Sequence, residues 1–162
     1  MKKLFALLLA ITMMATLSVT AFAADNTLNY DEDPQSSGTT VTYTVAPTYT
    51  VTIPETVTIG ADGAEKTVSA ADVVVEKGQY VSVTLSSGNN FTVKTPEGAE
   101  LTYTVTKNGQ PVAAGGEILA VNPADGKTGS ASVTFDIDEA AIQYAGTYTG
   151  SATFTIAVKP VS

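Results

Sequence analysis

Few side chains in this chain can make or break bonds. There is no cysteine and no histidine. That removes the thiol nucleophile, the disulfide framework, the cysteine–zinc site, the imidazole base and the Ser–His and Cys–His pairs. Arginine and tryptophan are absent as well. Carboxylates and lysine amines remain. The acidic groups cluster at Asp31-Glu32-Asp33 and at Asp136, Asp138 and Glu139. Carboxylate oxygens suit calcium, but neither cluster has the spacing of an Asp-x-Asp-x-Asp-Gly loop. A solvated acidic surface is the simpler account. Two carboxylates alone can hydrolyse a glycosidic bond. Such an enzyme also needs a lined cleft, and aromatic residues make up only 7% of this chain. The expectation is a protein with no catalytic residue, no cofactor and no metal.

Two further constellations are weighed the same way. A Lys94–Asp136 isopeptide cross-link needs both groups buried. Lys94 alternates out of phase with Phe91 and Val93, and Asp136 with Phe135 and Ile137, so both should face solvent. Rows of Thr-x-Thr resemble a water-ordering surface, but Pro47 and Pro54 interrupt them and sheets twist. Thr is accounted for by its strand preference and its soluble hydroxyl. Tyr30, Tyr80 and Tyr144 are the aromatics that fall outside an alternating apolar row. If they converge, they form a ligand-facing patch, and the chain is a carbohydrate- or peptidoglycan-binding module.

The elements that must position these residues read as strands. Val41, Tyr43, Val45, Tyr49, Val51, Ile53, Val57 and Ile59 occupy odd positions, with Thr at most of the even ones. That alternation marks half-buried strands, and Pro47 and Pro54 cut the stretch into pieces. Similar short runs lie at 73–75, 81–85, 91–94, 101–106, 118–121, 133–137 and 147–158. Turn residues separate them, among them Asn108-Gly109, whose tolerance of positive φ signals a tight hairpin. Only residues 138–144 suit a helical turn, with Asp138 as its cap. No strand–helix–strand rhythm is present, so an antiparallel sandwich is expected.

The first residues read as an address. Met1-Lys2-Lys3 is basic, residues 4–19 are mostly apolar, and Ala21-Phe22-Ala23 is a small-x-small site. This is the three-part pattern of a secretory signal peptide cleaved after Ala23. The expected organisation is a signal peptide over 1–23, a flexible acidic leader over 24–38 and one β-sandwich domain over 39–162. The chain of 162 residues carries a formal net charge of −8. That acidic balance argues against nucleic acid, and after cleavage nothing ties the chain to a membrane. The expected location is secreted, extracellular or on the cell surface.

The run Ser132-Val133-Thr134-Phe135-Asp136-Ile137-Asp138, followed by Tyr144-Ala145-Gly146-Thr147-Tyr148-Thr149-Gly150, resembles the corner between the fifth and sixth strands of an immunoglobulin-like domain. Tyr148 matches the tyrosine of that corner, whose hydroxyl bonds to upstream backbone. The stretch from Ala145 to Ile156 is similar to the closing strand of bacterial pilin-like sandwiches, including the spore coat protein U type. It is also similar to that of the Gram-positive cell-wall WxL domain, here without the Trp motifs. The resemblance implies an all-β fold: a single antiparallel immunoglobulin-like or pilin-like β-sandwich of about 7–9 strands. It also implies a secreted, non-enzymatic structural or adhesive protein of the cell surface. The composition looks Gram-positive. Partners on this reading are other cell-surface proteins, a glycan, or the chain itself in a head-to-tail arrangement.

Residues 39–45 raise one more question. Val41, Tyr43 and Val45 share a face and precede Ala46-Pro47. The segment is either the first strand of its own sandwich or a strand donated to a neighbouring copy, which would propagate into a fibre.

Overall fold

The computed structural model describes residues 11–12, 38–86, 88 and 90–161. Apart from Ile11 and Thr12, the expected signal peptide lies outside the described residues, and so does the acidic leader with Tyr30, apart from Gly38. The strands are β1 (Ile11–Thr12), β2 (Thr48–Thr52), β3 (Ala64–Val74), β4 (Gln79–Leu85), β5 (Thr92–Lys94), β6 (Glu100–Lys107), β7 (Gln110–Pro111), β8 (Glu117–Val121), β9 (Gly129–Ile137), β10 (Thr149–Gly150) and β11 (Phe154–Pro160).

These form an all-β sandwich of two antiparallel sheets. The larger runs β1-β2-β3-β9-β6-β5-β10, with β7 beside β6, and the smaller runs β11-β4-β8. Strand periodicity explains why the sheets face each other. In β6, Leu101, Tyr103 and Val105 are buried while Thr102 and Thr104 are exposed; in β9, Ala131, Val133 and Phe135 are buried while Ser130, Ser132 and Asp136 are exposed. In the smaller sheet Val81, Val83 and Leu85 of β4 are wholly buried. Together with Val68, Val73 and Ile118 they make one core rich in β-branched side chains, which pack well on a pleated surface.

Glycine makes the tight reversals. Asn108 and Gly109 both take positive φ, 51° and 74°, between β6 and β7, and Gly78 (83°) and Gly98 (90°) do so between β3 and β4 and between β5 and β6. A single 3-10 turn, Glu139–Ala141, follows β9, and the Asp138 side chain accepts a hydrogen bond from the Ala140 amide (3.0 Å).

Three features differ from the sequence reading. β3 begins at Ala64, well before the apolar run at 73–75, and carries a left-handed residue, Asp72 (φ 53°), near its end. Residues 53–59 form a connection rather than a strand, with Ile53, Val57 and Ile59 partly buried against the core. The run 147–158 is divided: β10 pairs with β5 in the larger sheet, and β11 pairs with β4 in the smaller one. The chain changes sheets at residues 151–153.

Candidate functional site

The described acidic groups do not gather into a reactive centre. Among the described residues, no set of three or more acidic side chains is placed to hold a metal ion. Asp136 accepts from the Ile137 amide (2.9 Å), and Lys94 forms an exposed ion pair with Glu100. Lys94 pairs opposite Glu100 and Asp136 opposite Thr104. Four residues of β6 separate those rows, about 13 Å at strand rise. The two groups do not meet, so no cross-link forms between them.

The two described candidate tyrosines, Tyr80 and Tyr144, lie apart. Tyr80 opens β4, next to the reversal at Gly78, with its hydroxyl 3.3 Å from Glu117 as donor. Ser82 also donates to Glu117, and the Lys159 ammonium lies 3.9 Å from it. Loss of solvent first, then the Glu117 charge and hydrogen bond, push the Tyr80 phenol above its usual range. Tyr144 lies past the other end of the sandwich: it follows β9, whose last residues pair with the start of β3, whereas Tyr80 follows the end of β3. Tyr144 is 64% exposed, and its carbonyl accepts the Tyr148 hydroxyl at 2.8 Å. Tyr80 and Tyr144 therefore do not build a shared aromatic patch.

Among the described residues, β11 forms an outer edge of the smaller sheet, and this is the candidate site. Phe154, Ile156 and Val158 of β11 stand opposite Leu85, Val83 and Val81 of β4. All six side chains therefore point at the core. The three on β4 are wholly buried, yet Phe154 and Ile156 are half-buried and Val158 is 38% exposed. The difference arises because β4 lies between two strands, while among the described residues β11 has a neighbour on one side only.

The backbone of β11 repeats the pattern. The Thr153 carbonyl accepts from Ser86 (2.7 Å), and the Val161 amide donates to Gly78 (2.8 Å), both toward β4. Alternation then turns the polar groups of residues 154, 156 and 158 toward the outer edge. Phe154 also lines a cavity of about 300 Å³ together with residues 54–57, Ile59, Val93, Tyr103 and Phe135. Partly uncovered apolar side chains beside a row of edge amides and carbonyls are suited to receiving one more strand.

The segment singled out as a donor lies outside both sheets. Residues 38–47 carry no strand. Val41 is 88% exposed, Tyr43 89% and Val45 59%. The alternative that this segment is the first strand of its own sandwich is thus not what the fold adopts; the first strand of the sandwich after it is β2. Sequence reasoning singled out residues 41, 43 and 45 but not the edge of β11.

No protein-family profile matches the chain, and no curated protein matches it. Among solved structures, it is similar to a chain of the crystal structure of the CsuC–CsuE chaperone–tip adhesion subunit pre-assembly complex from archaic chaperone-usher Csu pili of Acinetobacter baumannii. That likeness has 23% sequence identity and a TM-score of 0.46, and covers 72% of this chain and 40% of that one. This chain thus spans less than half the length of the one it matches.

Proposed function

We propose that this protein is a secreted, non-enzymatic structural subunit of the cell surface or extracellular matrix, which joins copy to copy by strand addition. The observation that carries the reading is complementarity within one chain. Three apolar side chains at alternate positions, Val41, Tyr43 and Val45, are exposed on an unpaired segment, while Phe154, Ile156 and Val158 are left partly uncovered at alternate positions along an open edge. Adding the first set beside the second satisfies the edge polar groups and removes apolar surface from water. Donor and acceptor surfaces differ, so the contact is head-to-tail and propagates.

Antiparallel pairing, the arrangement throughout both sheets, gives the register Val45 opposite Phe154, Tyr43 opposite Ile156 and Val41 opposite Val158. Thr44 then faces Thr155 as a pair that exchanges no backbone hydrogen bonds. In that geometry the Cα atoms are about 4.5 Å apart, within disulfide reach. The chain has no cysteine of its own. The variant Thr44→Cys/Thr155→Cys should therefore give a covalent ladder on non-reducing gels that collapses on reduction. Deleting residues 24–46 from the full chain should leave a cooperatively folded monomer. A full chain that is always monomeric, and whose deletion variant loses cooperative unfolding, would refute strand addition.

A further inference from the structure

The acceptor edge has a competitor for the donor segment: the donor's own molecule. Residues 39–45 run directly into β2, and the outer edge of β2 can take an antiparallel strand, since Ile11 and Thr12 pair there with Val51 and Thr50. A tethered segment is present at an effective concentration of about 1 mM. A neighbour's edge at about 1 μM would lose to it by about a thousandfold. Yet Val41 and Tyr43 are almost fully exposed, and among the described residues the segment carries no strand pairing.

In the described chain Ile11 and Thr12 occupy that edge; in a chain cleaved after Ala23 they are gone, and turn geometry then opposes the return of residues 39–45. A two-residue loop at Ala46-Pro47 would set Val45 opposite Thr48 and Tyr43 opposite Thr50. That places the donor's apolar residues on the side of the outward-facing threonines, because a one-residue slip moves every side chain to the opposite face. It also needs positive φ at Ala46 or at both residues. A three-residue loop over Val45-Ala46-Pro47 would restore the faces, with Tyr43 opposite Tyr49 and Val41 opposite Val51. That loop requires its third residue in the left-handed region, where glycine normally sits. Proline is held near −65° and cannot enter it, and it also disfavours the helical conformation for the alanine before it. Elsewhere the chain meets this demand with Gly78, Gly98 and Gly109 in its tight reversals. Between residues 39 and 52 there is no Gly, Asn or Asp.

We propose that Pro47 selects the partner: by opposing the three-residue loops at this junction that would return residues 39–45 to their own β2 with the correct face inward, it favours a second copy of this chain. This rests on the strand-addition reading above, but its test does not depend on polymer formation. Pro47 is exposed and lies outside every strand, so its replacement leaves the sandwich intact.

The measurement compares the full chain, expressed from Met1 and collected as exported, with Pro47→Gly and Pro47→Ala. Pro47→Gly permits the three-residue loop; Pro47→Ala removes the ring but keeps a side chain that resists positive φ. Pro47→Gly is expected to give monomers in which the amides of residues 41–45 are protected from hydrogen exchange, with loss of polymer by light scattering. Pro47→Ala is expected to behave as the parent protein. A Pro47→Gly chain that still polymerises like the parent, or is monomeric with residues 41–45 exchanging freely, overturns the assignment. If the parent chain never polymerises, exchange protection in Pro47→Gly still decides the role of the junction, while strand addition itself fails.

Discussion

Tyr103 shows how a single polar atom holds the two sheets in place. Its ring sits edge-on to Phe91, with centroids 5.6 Å apart at 82°, and tilts against Phe135 at 6.2 Å. Its hydroxyl donates to the Ser151 carbonyl at 2.9 Å, in the stretch where the chain changes sheets. A buried hydroxyl needs such a partner. Tyr103→Phe should cost about 1 kcal/mol in urea unfolding. Burial also raises the Tyr103 phenol above its usual value. In the unfolded chain the phenol titrates near pH 10; in the folded chain it holds its proton to higher pH. The unfolded state therefore releases its proton first, and stability intact below about pH 10 falls as pH rises past it. Urea midpoints at neutral and alkaline pH should show a shallower alkaline decline in Tyr103→Phe. The Tyr80 phenol, raised as well, keeps some decline in both proteins.

Among the elements, the division of the last run into β10 and β11 does most to create the candidate site. Gly150 permits it. A Cβ there would lie 2.5 Å from the Thr92 carbonyl oxygen and 2.9 Å from a Val93 methyl. The close approach lets β10 pair with β5 before the chain crosses to β4. Gly150→Ala should therefore destabilise the fold by on the order of 2 kcal/mol through overpacking. Hydrogen exchange should rise first at residues 92–94 and 149–150, while the β3–β9 pairing stays protected. Uniform loss of protection across both sheets would instead mean that this corner unfolds only with the whole molecule.

For the whole molecule, the larger sheet covers a smaller one in which, among the described residues, no strand lies outside β11. Val158 marks that incompleteness: it points inward beside wholly buried Val81, yet stays 38% exposed. A charge at this position has a route to water in the isolated subunit but not beneath an added strand, where an unpaired charge is costly. Val158→Glu should fold with near-parental stability by thermal unfolding and fail to assemble by light scattering. Assembly unchanged in Val158→Glu would place the contact somewhere other than the β11 edge.

The sequence by itself determined the class of fold and most of its strands. Strict alternation in 101–105 and 133–137, the Asn108-Gly109 reversal and the Asp138 cap are local patterns, set by side-chain period and turn sterics, and the fold adopts each of them. The sequence also displayed the exposed row Val41, Tyr43 and Val45. It hid the first part of β3, whose apolar positions are few and partly filled by alanine, and whose partners β2 and β9 supply the face. It made residues 53–59 look like a strand because Ile53, Val57 and Ile59 alternate, although they pack on the core from a connection. Only the tertiary structure decided that residues 39–47 stay outside both sheets, that residues 147–158 serve two sheets, and that β11 has, among the described residues, a neighbour on one side only. These are matters of which strands lie beside which. Long-range pairing carries no signature in a local pattern, because the same alternation serves a strand with two neighbours, one, or none.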